Sequence, residues 1–153
     1  MGPTIKELLS YRLHQVANLL SRGAEMRYRR EFGVSLWEWR TVALLGGALE
    51  PQSLNELARA AGMDKGQMSR VVSGLTAKKM ISREADANDA RGIRLSLTTS
   101  GRKLYRKLIG AAAERNSAFL GCLTAQERKC LEQAMTKLAH EARGFIQQEK
   151  DPR

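Results

Sequence analysis

Lys65, Gln67, Ser69, Arg70 and Ser73 fall within nine residues, on the outward side of a helix whose inner side is Met68, Val71, Val72 and Leu75. These side chains suit the edges of base pairs. Glutamine can bond adenine through two atoms, and lysine or arginine can bond guanine or a phosphate. A helix presented by its N-terminus can bring them into the major groove. The same residues would equally make a solvated helix face. Further on, Arg91 lies between Asp89 and Gly92 in a polar loop. A narrow minor groove concentrates negative potential and attracts an inserted arginine. An exposed Asp89–Arg91 ion pair of little energetic consequence is the plainer alternative. Other chemistries find no residues. There is no GxSxG, P-loop or HExxH pattern and no Cys/His pairing, so no catalytic residue is assigned. Cys122 and Cys130 are too few for a disulfide framework, and His14 and His140 are far apart. No metal site and no cofactor are expected.

The elements that must position these residues can be read in order. Residues 4–32 predict one long helix, with Thr4 and Glu7 as a capping box, Ile5, Leu8, Leu9, Leu13, Val16, Leu19, Leu20 and Met26 at helical spacing, and Gly33 as its end. A helix over about 36–47 follows Ser35. Ser53 to Glu56 is a second capping box and opens a short helix that ends near Gly62. Asp64 caps the next helix, about 65–79. Two short helices joined by Ala61-Gly62-Met63 form the helix-turn-helix pattern. Met80–Asp86 reads as a strand, 87–92 as a polar loop, and Ile93, Leu95 and Leu97 alternate with polar residues as a second strand. Helices over about 100–119 and from Thr124 to about 148 close the chain. The expected fold class is mainly α (α+β), a winged helix-turn-helix flanked by long terminal helices. Its expected divisions are 1–34, 35–98 and 99–153: an N-terminal dimerisation helix, the winged region, and C-terminal dimerisation helices.

Composition agrees with one ordinary domain. The 153 residues are 42% hydrophobic and 27% charged, which is wrong for a disordered chain. A chain this long buries about two-thirds of its unfolded surface without metal or disulfide. No apolar run reaches the roughly 18 residues of a membrane span, and the first residues lack a signal-peptide pattern. A cytoplasmic location is therefore expected, with no membrane partner. The net charge of +10 favours a polyanion. That charge is concentrated. Residues 53–107 hold twelve cations, Arg94 and Arg102 among them, against five anions.

In residues 88–101, Asn-Asp-Ala-Arg-Gly-Ile-Arg-Leu-Ser-Leu-Thr-Thr-Ser-Gly, the sequence resembles the wing signature of the MarR family of bacterial transcriptional regulators. Asp89, Arg91, Leu97, Thr98 and Gly101 fall on its positions. Met68-Ser69-Arg70-Val71-Val72 with Leu75 resembles the family's recognition helix, and Trp39-Arg40 the helix before it. The element order matches over nearly the whole chain. The resemblance implies a DNA-binding regulator, most simply a repressor. It implies a homodimer on an inverted repeat of double-stranded DNA, contacted by Lys65, Gln67, Ser69, Arg70, Ser73, Asp89, Arg91 and Arg94. It also implies that Asp89 directs Arg91. Terminal helices with apolar stripes agree with a second copy as partner.

Similar regulators bind small anionic or phenolic ligands between dimer helices and reader. His14 and Arg12 on the first helix and Trp39 on the second are the expected effector residues, for a small aromatic carboxylate or phenol. Two other readings stay open. One is a thiol-based redox sensor through Cys122, which precedes a helix start. The other is a winged-helix interaction module that does not read DNA.

Overall fold

The computed structural model describes residues 2–86 and 89–150, excluding the side chains of 89–91. Its elements are α1 (Leu9–Phe32), α2 (Leu36–Gly47), β1 (Gln52–Ser53), α3 (Leu54–Ala61), α4 (Lys65–Ala77), β2 (Ile81–Asp86), β3 (Asp89–Leu97), α5 (Thr99–Leu120) and α6 (Ala125–Lys150). The strands form one antiparallel sheet in the order β1-β3-β2. The expected fold class holds: a mainly helical winged helix-turn-helix with long helices toward both ends. Among the described residues no helix is long and apolar enough to cross a membrane.

Local chemistry sets most boundaries. Ser35 and Glu38 form a reciprocal capping box at α2, and Ser53 and Glu56 form another at α3. Gly33 and Gly62 close α1 and α3 with φ of +66° and +63°, a conformation that glycine enters without steric cost. Three expectations need correction. The first helix does not run unbroken from residue 4. Thr4 and Glu7 cap only a 3-10 turn, Ile5–Glu7, and Leu8 is extended before α1 begins. The fourth helix ends at Ala77, because Lys79 takes a left-handed φ of +58° and turns the chain into β2. The final strand begins at Asp89, not Ile93. There β3 is polar and is held by backbone pairing, which leaves no hydrophobic alternation to read.

The chain divides into two compact units, residues 1–110 and 111–153. In the first, Tyr28 of α1 packs on Trp39 of α2 with ring centroids 5.2 Å apart. Val42, Leu57, Met68, Val72, Leu75, Ile81, Leu95, Leu97 and Leu108 complete its core. Thr41 is buried among them, and its hydroxyl donates to the Trp37 carbonyl at 2.8 Å. The second unit holds the end of α5 and all of α6. A capping box formed by Thr124 and Glu127 starts α6. No residue of α6 is buried.

Candidate nucleic-acid interface

The left-handed turn at Gly62 aims α4 away from α3, and Asp64 caps it by accepting the Gln67 amide at 2.8 Å. Met68, Val72 and Leu75 anchor the inner side of α4 completely. That burial leaves Lys65, Gln67, Arg70 and Ser73 exposed on the other side. Ser69 differs from its four companions. It is half-buried and lines a cavity of about 210 Å³ with Leu54, Val72, Arg83, Ile93 and Leu95. Arg83 on β2 donates to the Ser73 hydroxyl at 3.2 Å, so the exposed face of α4 continues onto the wing. Sequence reasoning counted Arg83 only as charge. Its place on the same face of β2 as Ile81, toward α4, was the available signal.

The wing pairs residue for residue from Ile81 opposite Leu97 to Ala85 opposite Ile93, then shifts register at Asp86. The Asp89 and Arg91 side chains lie outside the described residues. Arg94, expected among the DNA contacts, is held within the protein. Its Nε donates to Asp86 Oδ2 at 2.6 Å and its Nη1 to Glu56 Oε2 at 3.1 Å. Glu56 also accepts the Ser53 amide and hydroxyl, and these bonds with the nearby Arg94 and Arg59 charges hold its carboxyl below the usual range. Lys78 is also engaged, by Glu38 of α2. Burial of Glu38 opposes its ionisation, but the bonds from Lys78 and Ser35 outweigh that and lower its pKa.

The base of the wing explains the Leu97-Thr98-x-x-Gly101 spacing. The Thr98 hydroxyl donates to the Lys79 carbonyl at 2.7 Å and accepts the Gly101 amide at 3.0 Å. The Thr98 amide donates to the Met80 carbonyl at 3.1 Å. One threonine thus caps α5 and fastens it to the turn that follows α4.

The expected effector residues do not meet within one chain. Trp39 lies against Tyr28, and His14 lies fourteen residues earlier on α1, about 20 Å along the helix axis. His14 is exposed and bonds Asn18 at 2.8 Å, and Arg12 is exposed beside it. The cation next to Trp39 is Arg40, which stacks on Trp37 at 4.8 Å and donates to the Ser21 hydroxyl at 3.2 Å. Trp39, Arg40, Ala43, Leu44, Ala60 and Ala61 line an open cavity of about 290 Å³. Cys122 and Cys130 are exposed free thiols, bonded to the Phe119 carbonyl and Gln126.

A helix-turn-helix with a fastened wing defines a fold class, the winged helix. Within it, residues 32–92 match the MarR family. Solved structures agree over nearly the full length. A MarR/EmrR family transcriptional regulator from Acinetobacter sp. ADP1 is 27% identical, with 93% of this chain and 99% of that one covered at a TM-score of 0.84. A probable transcriptional regulator from Pseudomonas aeruginosa is 26% identical, with 88% and 99% covered at 0.75. MepR of Staphylococcus aureus in complex with DNA is 23% identical, with 88% and 98% covered at 0.80, a likeness of fold. Residues 32–92 thus match a family whose members are transcriptional regulators, not enzymes, and the chain has the fold of the solved regulators it resembles.

Proposed function

We propose that this protein is a homodimeric, ligand-released repressor that reads an inverted repeat of double-stranded DNA in the cytoplasm. One observation carries the DNA reading. The exposed face of α4, with Lys65, Gln67, Arg70 and Ser73, continues through Arg83 onto the wing. In this reading α4 enters the major groove, and Arg91, directed by Asp89, enters the adjoining minor groove. The DNA complex of MepR, which shares the fold, supports it. Arg91→Ala is expected to weaken operator binding by about 1–3 kcal/mol while circular dichroism stays unchanged. A folded variant with wild-type affinity in gel-shift titration at fixed salt would refute the wing assignment.

Dimerisation is supported by what one chain leaves uncovered. Leu9, Leu13, Val16 and Leu19 of α1, and Met135, Phe145 and Ile146 of α6, are each about half exposed or more. Apolar stripes of this length on a soluble protein mark an interface. Two readers related by a two-fold axis match two half-sites about one helical turn apart.

The effector proposed is a small aromatic carboxylate or phenol. The open cavity beside Trp39 supports this, with Arg40 as the cation in its wall. His14 and Arg12 can join that site only from a second copy. Release requires tighter ligand binding to the DNA-incompetent state, and a typical coupling of about 1–3 kcal/mol lowers operator affinity roughly 5–150-fold. Operator titration with a panel of benzoates and hydroxybenzoates tests it. Arg40→Met is expected to lose the response, and a panel without effect removes this effector class.

A further inference from the structure

Arg94 stands where three chain segments meet. In the sheet it lies opposite Glu84 of β2 on one side and Ser53 of β1 on the other. Its guanidinium bonds Asp86 at 2.6 Å and Glu56 at 3.1 Å, and lies 3.4 Å from the Pro51 carbonyl. Glu56 Oε2 also accepts the Ser53 amide at 2.7 Å. The oxygen that caps α3 is therefore the oxygen that holds the wing. Asp86 sits at the register shift, and its side chain is only 13% exposed beneath the arginine.

We propose that Arg94 is a positioning residue for DNA binding, which clamps the wing to the helix-turn-helix through Asp86 and Glu56 and does not itself contact DNA. The proposal rests on the DNA-binding reading above. A guanidinium is a planar fork whose several donors reach two acceptors in fixed geometry, whereas an ammonium is a point charge. Here the fork joins β3 to the tip-side end of β2 and to the first turn of α3. Drawing it to a phosphate would break its 2.6 Å charge-assisted bond to the mostly buried Asp86 carboxylate, which is costly. Arg91 lies three residues nearer the tip on the same strand. The clamp therefore sets the direction of the β3 segment that carries Arg91, while α3 carries the same constraint toward the reader.

The clamp and a phosphate contact predict opposite results. Full-length Arg94→Lys, Asp86→Asn and Glu56→Gln are compared with wild type by amide hydrogen exchange without DNA, and by titration of selected operator and random duplex at several salt concentrations. For the clamp, exchange in β2, β3 and the first turn of α3 rises roughly tenfold in each variant, the usual scale for losing a charge-assisted bond. Operator affinity falls about tenfold on the same grounds, random-duplex affinity holds, and the salt slope is unchanged. For a phosphate contact, Arg94→Lys binds like wild type and Asp86→Asn binds more tightly. In that case Arg94→Ala lowers the slope by about 0.9, and the clamp is overturned. Should wild type bind no duplex at all, the functional reading fails, and hydrogen exchange alone decides the clamp. Unchanged exchange in Arg94→Lys and Asp86→Asn then overturns it. If the Arg94 variants do not fold, the two carboxylate-to-amide variants, which keep side-chain shape, carry the same measurements.

Discussion

A methyl group at Gly101 would collide with the Met80 carbonyl oxygen and crowd Leu97 Cβ at 3.3 Å. The collision is with backbone, which cannot rotate aside, so Thr98 would lose its seat on the Lys79–Met80 turn. Gly101→Ala is therefore expected to cost about 1–3 kcal/mol, the range for overpacking a tight site, read as a lower urea midpoint with unchanged slope. Exposed residues of α4 act differently. Gln67 gives its amide N–H to Asp64 through the backbone and keeps its side chain outward. Base contacts specify and phosphate contacts position. Gln67→Ala should thus change the sequence recovered from randomised sites more than the overall affinity, whereas Arg102→Ala should weaken all sequences alike. An identical motif from Gln67→Ala would exclude base reading at that residue.

At the scale of elements, the helix starts are expected to be acid-sensitive. Backbone and side-chain bonds from Thr124 lower the Glu127 pKa below its ordinary 4.5, and those from Ser53 do the same at Glu56. Burial opposes but does not prevent the same shift at Glu38. A carboxylate with a depressed folded pKa stabilises fully above its unfolded value, and that stability is lost as pH falls through the folded value. Stability should therefore be flat near neutrality and decline below about pH 4.5, with α3 and α6 fraying first. Glu127→Gln keeps an acceptor for the Thr124 amide but cannot titrate. Its urea midpoint should depend less on pH between 5 and 3, and an unaltered pH profile would exclude Glu127 as a contributor.

For the whole molecule, the exposed stripes of α1 and α6 make a strong demand. Leu19 and Phe145 are 68% and 65% exposed in one chain, and in the proposed dimer a second copy covers them. Met135→Glu with Phe145→Glu should give a monomer in sedimentation while the first unit stays folded. Protection of an inverted repeat should shrink to half-site binding of much lower affinity. The wild-type footprint should span two half-sites with a steep salt dependence, because many phosphates are neutralised together. Symmetric protection by the double variant would count against these helices as the dimer interface.

The sequence by itself determined the helix-turn-helix, its caps and the hairpin. Those features depend on residues close together in the chain: Ser53 with Glu56, Asp64 with Gln67, and Gly62 at a turn that needs positive φ. Concentrated positive charge and the 88–101 pattern were legible for the same reason, and they pointed to the family whose model matches residues 32–92. Tertiary structure decided what distant residues do to one another. It formed β1, whose two residues are a strand only because β3 lies beside them. It turned Ser69 into a cavity wall and separated His14 from Trp39 by fourteen residues of rigid helix. It also occupied Arg94 with carboxylates 8 and 38 positions away. The charge of an arginine in a basic stretch is legible in the sequence and its carboxylate partners are not, because charge is a property of the residue and compensation is a property of the fold.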